Sequence, residues 1–552
     1  MIQALPAVGH PHDDCAICQA TSFYANSIGR HILSQNPTAK HVFELWKQEE
    51  ASATTLDSQL EKDQELKELL LNETPWVFDA KREGEQRQRL ADFFDRNLMD
   101  QRLSSAIDKL QKLQNGDGAW SWWPGMNSSF YITMEVSEML VRLNEMTGRQ
   151  QDTEKMLNGS FGYLGDDIVR LVEEMKKEEK RGHKQTFPSF KALQWLYICA
   201  LDGRQLPAKV KEANAYLTNL LKKETKNQTL YEKALSAVIL NNKTYVKSLK
   251  EWTVYKEEMG RYYDSPRAGY SWRDYRIPTQ VAAIEALKRL TPDDTQTISE
   301  MQRWLLQEKR TQSWDTPINS VEAIYAFLNG RSQVLAPQEK TVLKVDDQPV
   351  DVSAATAGLG YVKTTMPAQG AKTFTAEKTS TGTSWGAVYA QFVQPTTEIK
   401  DQQSGISVKR EIFISRSSDR TSAEAGNVQS SASNVQSSMF NVQCKVGDRI
   451  TVRLTIVADR DYDFVQVVDK RAACLEPVNQ LSGYNWREGY YCTPRDATTN
   501  YYFDVFAKGR HVIETEYYVD RPGRYETGTC VVECAYSPEF RGLTHAQTIV
   551  VE

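Results

Sequence analysis

The stretch Leu113–Leu143, LQNGDGAWSWWPGMNSSFYITMEVSEMLVRL, decides the fold. It runs from a polar Gly/Asp/Trp turn through a Thr into an apolar helix. The same order returns in Arg267–Leu290 (RAGYSWRDYRIPTQVAAIEALKRL) and Leu306–Leu328 (LQEKRTQSWDTPINSVEAIYAFL). In each, an aromatic-tipped turn precedes a helix start at Thr or Asn, and V-x-x-M/I follows at 136/139, 281/284 and 321/324. Trp272 and Trp314 are 42 residues apart, about the length of two helices and two turns. Helical hairpins that cannot bury their apolar faces alone must stack or close. Pairs of this length closing on themselves predict an α/α toroid over residues 1–332. Trp122, Trp272 and Trp314 are expected to be buried between neighbouring helices, as packing rather than as ligand contacts.

The rest of the first half supports helix. Apolar residues recur at three and four spacing in 131–143, 190–201 and 281–290, and strand-like alternation is nearly absent. Composition changes after Gly330. TVLKVDDQPVDV, SWGAVYAQFV, ISVKREIFIS and RITVRLTIVADRDYDFVQVVD read as strands, with Ile450, Val452, Leu454 and Ile456 alternating against polar residues. HVIETEYYVDRPGRYETGTCVVECAYSPEF reads as two strands around an Arg-Pro-Gly turn. The second half is thus all-β, with a length that suits two packed antiparallel sheets. Between strands, residues 417–438 are rich in Ser, Asn and Gln, with NVQ at 427, 434 and again at 441; they are expected to lack regular structure. The expected division is 1–332 toroid, 333–400 β-rich segment, 401–552 β-sandwich.

The 552 residues exceed one ordinary core. A net charge of −5 without a long basic run argues against nucleic acid as partner. No apolar run reaches the length of a membrane span, and MIQALPAVGH lacks the basic and apolar regions of a signal peptide. Eight cysteines are too sparse for a disulfide scaffold. Cys199 falls in an apolar helical run and reads as a buried thiol. The five C-terminal cysteines lie in strand-like sequence and are able to pair in an oxidising compartment.

An α/α toroid opened by a cysteine-containing turn and followed by β-sandwich modules resembles the C-terminal half of the alpha-2-macroglobulin family, above all its bacterial members. The resemblance covers essentially the whole chain. CAICQATSFYANS (15–27), NETPWVFDA (72–80), NGDGAWSWWPGMNSSFYIT (115–133), RAACLEPVNQLSGYNWREG (471–489) and DATTNYYFDVFAKGRHVIETEYYV (496–519) carry it. It implies a thioester-type toroid over 1–332, a CUB-like portion over 333–400 and a macroglobulin-like β-sandwich over 401–552. It further implies a non-enzymatic endopeptidase inhibitor, a protease trap, without cofactor. The bait and the upstream macroglobulin-like domains would belong to a longer chain. The partners would be target proteases, met through the full-length protein in a bacterial periplasm or cell envelope.

The family's reactive motif is Cys-x-Glu-Gln, in which the Gln side chain acylates the Cys sulfur. Aligned through YANS, Cys15 takes the Cys position, Ile17 the Glu position and Cys18 the Gln position. A thiol supplies no acyl carbonyl, and Gln19 stands one residue late, so no normal thioester is expected. Four readings stay open for GHPHDDCAICQATSFYANS (9–27): a Cys15–Cys18 disulfide, two free thiols, a zinc site from His10, His12, Cys15 and Cys18, or a redox-active thiol near a helix start.

Two other classes compete. One is a toroid enzyme acting on carbohydrate or isoprenoid with a β-sandwich accessory domain, which needs acids converging on the toroid mouth. The sequence offers Asp166–Asp167, adjacent and so not facing each other, and Asp117, which suits a turn. No D-x-D-D, G-x-S-x-G, H-E-x-x-H or phosphate-loop pattern is present. The other class is a binding module that uses the inter-repeat turns.

Overall fold

The structure, a computed structural model, describes residues 4–35 apart from 12, and 90–330 apart from 91, 189, 225–227, 258, 266–274, 309–313 and 315. It also describes 342–350, 372–378, 386, 388, 394–415, and 441–552 apart from 536. Trp272, His12, the segment 417–438, NETPWVFDA and most of SWGAVYAQFV lie outside the described residues. Described residues up to 378 form one compact unit, and those from 386 onward a second.

The first unit is helical: α1 (Leu5–Gly9), α2 (Ala16–Gln35), α3 (Arg96–Leu113), α4 (Phe130–Thr147), α5 (Gln151–Lys180), α6 (Phe190–Asp202), α7 (Ala208–Leu221), α8 (Leu230–Leu240), α9 (Thr244–Glu251), α10 (Arg276–Leu290), α11 (Thr295–Gln307) and α12 (Pro317–Leu328). Even-numbered helices from α2 to α12 pack in a closed cycle: α2 on α4, α4 on α6, α6 on α8, α8 on α10, α10 on α12, and α12 back on α2. Odd-numbered helices pack behind them: α3 on α2, α5 on α4, α7 on α5, α9 on α8 and α11 on α10. Burial follows this division. Every residue of α4 from Ile132 to Asn144 is buried, and every residue of α12 from Ile318 to Leu328, as befits helices enclosed on all sides. The long α5 buries one stripe, from Met156, Leu157 and Phe161 to Val172 and Met175, and exposes the rest.

Local chemistry sets the helix starts. Asp95, Ser129 and Thr316 cap α3, α4 and α12 through side-chain oxygens, with Pro317 at the first position of α12. Thr229 and Glu232 form a reciprocal capping box at α8.

The repeat equivalence differs from the sequence expectation. The indole N–H of Trp120 donates to the Leu110 carbonyl at 2.9 Å, and its backbone N–H donates to Thr133 Oγ1 at 2.8 Å. Trp314 does the same toward the Leu305 carbonyl at 2.9 Å and Ser320 Oγ at 3.1 Å. Trp120, not Trp122, is therefore the partner of Trp314. Both are buried, whereas Trp122 is half-buried and stacks between Trp123 and Tyr131. The helical half also holds a hairpin the sequence reading did not anticipate, β1 (Val254–Lys256) with β2 (Gly260–Tyr262). It packs on α11, where Arg261 meets Glu300 at 2.8 Å. Its strands are three residues each, too short to show alternation. A small sheet of β3 (Val342–Val345), β4 (Gln348–Pro349) and β5 (Phe374–Glu377) follows.

The second unit is built from strands, with one short 3₁₀ turn at Thr396–Glu398. One ladder of eleven strands joins β6 (Gln402–Ser404), β7 (Ile406–Ser415), β9 (Arg449–Ala458), β10 (Tyr462–Lys470), β11 (Leu475–Pro477), β12 (Gly483–Asn485), β13 (Tyr490–Pro494), β14 (Thr498–Phe506), β15 (Gly509–Val519), β17 (Cys530–Cys534) and β18 (Ser537–Leu543). β16 (Gly523–Glu526), β19 (Thr548–Val551) and β8 (Asn441–Cys444) form a separate sheet. The expected alternation holds: Ile450, Val452, Leu454 and Ile456 are buried on β9, whose register with β7 and β15 is continuous over ten residues. The ladder turns at Gly405, between β6 and β7. There φ is +70° and a Cβ would lie 2.2 Å from Tyr462 Oη, so only glycine fits. The stretch around Arg521-Pro522-Gly523 is more divided than two strands. β16 leaves the ladder to pair with β19, and β17 returns to pair with β10.

Candidate functional site

The turn between α1 and α2 is built by its own short-range bonds. Asp13 Oδ1 accepts the Cys15 N–H at 2.7 Å, and Cys15 Sγ accepts the Cys18 N–H at 3.2 Å. Gln19 donates its side-chain amide to the Asp13 carbonyl at 2.9 Å, so that carboxamide is spent on the turn. The Ala16 N–H donates to the Trp122 carbonyl at 3.0 Å, tying the start of α2 to the Trp turn before α4. Farther along α2, Ser22 Oγ and Asn26 Nδ2 both donate to the Gly9 carbonyl, and Arg102 holds Asn26 Oδ1 at 3.0 Å.

Cys15 and Gln19 are buried and Cys18 is half-buried; both cysteines stand as free thiols. Their protons are linked. The Cys15 thiol is pushed up by its hydrogen bond to Cys18 and by burial. The Cys18 thiol is lowered by that same bond, which outweighs its own burial. Cys18 lines a cavity of about 290 Å³ with His10, Thr21, Trp314, Thr316 and Ser320. The ligand atoms of Asp13, Cys15 and Cys18 lie within 4.8 Å of one another. His10 is exposed, lines the same cavity and places Nδ1 3.3 Å from the Pro6 carbonyl, but it does not belong to that cluster. Sequence spacing found the two cysteines and missed Asp13, which approaches only through the turn.

A second constellation fills the interior of the helical cycle. Arg142 Nη1 is 2.9 Å from Glu138 Oε1 and 3.6 Å from Glu322 Oε1, and Nη2 donates to Tyr197 Oη at 3.0 Å. Tyr197 donates to Glu285, and Tyr325 Oη lies 2.8 Å from Glu285 and 2.7 Å from Glu145, which share its one proton. Arg289 pairs with Glu285 and Glu145, and Gln194 donates to Glu138 at 2.8 Å and Glu135 at 3.2 Å. Burial drives the Tyr197 and Tyr325 hydroxyls well above their ordinary range. Arg142 is raised too: burial opposes its charge, and Glu138, Tyr197, Glu322 and Glu285 overcome that.

Five glutamates and two arginines thus converge where the sequence reading found no converging acids. The signal was the 3-4-3 spacing of Glu135, Glu138, Arg142 and Glu145, which puts four charged residues on one face of α4. Each of these carboxylates is engaged by an arginine, a tyrosine or a glutamine. The other acids weighed from sequence are ordinary. Asp166 is exposed, Asp167 pairs with Arg170 and Lys191, and Asp117 accepts from Ala119 N–H and Ser128 Oγ within its turn.

Residues 405–539, which span most of the eleven-stranded ladder, match the model of the bacterial alpha-2-macroglobulin MG10 domain. By that match the chain carries a bacterial alpha-2-macroglobulin MG10 domain. No curated protein matches it. It is similar to native alpha-2-macroglobulin of Escherichia coli from domain MG7 to the C-terminus, at 12% identity and TM-score 0.32, covering 100% of this chain and 75% of that one. It is similar also to the E. coli protein activated by porcine elastase (14%, TM-score 0.36, 83% of this chain and 39% of that one). A third likeness is to the trypsin-activated form (14%, TM-score 0.38, 88% and 31%). Likeness this distant carries no further argument, and the assignment rests on residues 405–539. The chain spans well under half of the two longer macroglobulins. Among the described residues no helix is long and apolar enough to cross a membrane.

Proposed function

We propose that this chain is the C-terminal part of a bacterial alpha-2-macroglobulin-like protease trap that holds its target without a thioester. The MG10 match over 405–539 carries the family reading. The cysteine at 18, where the family's acyl donor would stand, carries the second half. Gln19 stands one residue late for that role, and its side-chain N–H donates to the Asp13 carbonyl. On this reading the closed cycle of helices is the family's α/α toroid (1–332), 333–400 is a CUB-like portion and 401–552 contains the macroglobulin-like sandwich. The chain is not an enzyme. It works behind upstream macroglobulin-like domains, against proteases, in the periplasm or cell envelope. The carboxylates inside the helical cycle are structural.

The test uses the full-length protein. After reaction with a protease, the protease is expected to lose activity on large substrates. It should also separate completely from the inhibitor on a denaturing gel. Intact mass should show no loss of ammonia, and methylamine should not label Gln19 in the native protein. Methylamine labelling at Gln19, or a covalent protease adduct, would return the thioester and overturn the reading.

A further inference from the structure

We infer that the turn between α1 and α2 is a zinc site whose protein ligands are Asp13, Cys15 and Cys18. The ligand set differs from the His-rich one the spacing suggested. Among the described residues, which do not include His12, the acid and the two cysteines bring their donor atoms within 4.8 Å of one another, and His10 stays outside. Two thiolates at about 2.3 Å and a carboxylate oxygen at about 2.0–2.2 Å make a tetrahedral zinc site with three protein ligands. In such a site neighbouring donors stand about 3.5–3.8 Å apart, which follows from those bond lengths.

The backbone is already arranged for it. The Cys18 N–H points at Cys15 Sγ at 3.2 Å, a bond that favours the thiolate. The Cys15 N–H holds Asp13 Oδ1 at 2.7 Å and so fixes the carboxylate next to the sulfurs. The Gln19 amide pins the Asp13 carbonyl, which locks the turn from behind. Two thiolates and a carboxylate this close repel one another unless protons or a cation intervene. Binding releases the two thiol protons to solvent and leaves the site with one net negative charge. Cys18 also lines the cavity, and a water molecule would supply the fourth ligand. Such a tie would bridge the same pair of positions, first and fourth of the turn, that a thioester would.

This inference does not rest on the trap reading, because zinc content is measured without any protease. The chain is purified under thiol-reducing conditions with zinc sulfate, dialysed against metal-free buffer and analysed for bound metal. One zinc per chain is expected, with none in Cys15→Ser or Cys18→Ser. Asp13→Ala should weaken binding at least tenfold, whereas His10→Ala should leave it unchanged. Cobalt(II) in place of zinc should give thiolate charge-transfer and tetrahedral ligand-field bands in the unaltered protein. That readout stands even where a cysteine variant fails to fold. No retained zinc with both thiols open to alkylation would overturn the site. So would zinc kept in both serine variants, or a Cys15–Cys18 disulfide that forms in the purified protein and resists mild reductant.

Discussion

Arg142 in the helical unit and Arg410 in the β unit are both buried, with side chains 4% and 2% exposed, yet they are held in opposite ways. Arg410, on β7, donates to the Asp469 carboxylate at 3.0 Å, to Thr527 Oγ1 at 2.7 Å and to the carbonyls of Lys470, Gly528 and His545. One acid balances its charge, and three of its five partners are main-chain carbonyls, those of Gly528 and His545 lying outside the strands. Arg142 meets three glutamates and a tyrosine, and among the described residues no main-chain oxygen. A cation that satisfies backbone is tied to one chain path. A cation among side chains is tied to a charge balance, and a balance is adjustable by substitution.

The largest expected effect is therefore Arg410→Met, which strands a carboxylate and three carbonyls. We expect a loss of about 5 kcal/mol in denaturant unfolding, with little recovery on adding Asp469→Asn. Substantial recovery would mean that the acid, not the backbone, is what Arg410 serves. Arg142→Met should cost about 3 kcal/mol, and here Glu138→Gln in the same chain should restore a good part of it. An additive double mutant would erase the contrast between the two sites. Glu322→Gln alone removes one acid from an interior rich in them and should stay within about 1 kcal/mol of the unaltered protein.

The smallest effect is in pH dependence. Burial raises the Asp469 carboxyl above its ordinary value despite Arg410. A raised acid favours the folded state when protonated. Its contribution is full below the unfolded value of about 3.9 and fades as pH climbs through the raised one. Asp469→Asn should remove that slope from stability measured between acid and neutral pH, and an unchanged slope would place its origin elsewhere.

The same contrast explains what the sequence made legible. β7 spans the residues read as ISVKREIFIS, and α4, α6 and α10 contain the stretches picked out because their apolar residues recur at three and four spacing, even though α4 is buried all round. The sequence points to Trp122 rather than Trp120 because two tryptophans two residues apart look alike until the Trp120 indole N–H finds the Leu110 carbonyl. The interior glutamates were hidden for a related reason. α10 and α12 each contribute one or two charged residues to an otherwise apolar face, and single charges on separate helices carry no local pattern. Cys15 and Cys18 were found because their relation is local; Asp13 was missed because what places it is the turn geometry.

The cycle of inner helices closes where α12 meets α2, joining segments that stand near opposite ends of the first unit. During synthesis α2 leaves the ribosome early, with Phe23, Tyr24, Ile28 and Ile32 all destined for burial. It cannot acquire its α12 neighbour until residues 317–328 have been made. Earlier partners, α3 and α4, cover part of it in the meantime. The last apolar face of the nascent chain therefore stays open for nearly the whole translation of this unit. That window is when a chaperone has most to do, and when truncation just before α12 would leave a product prone to aggregate.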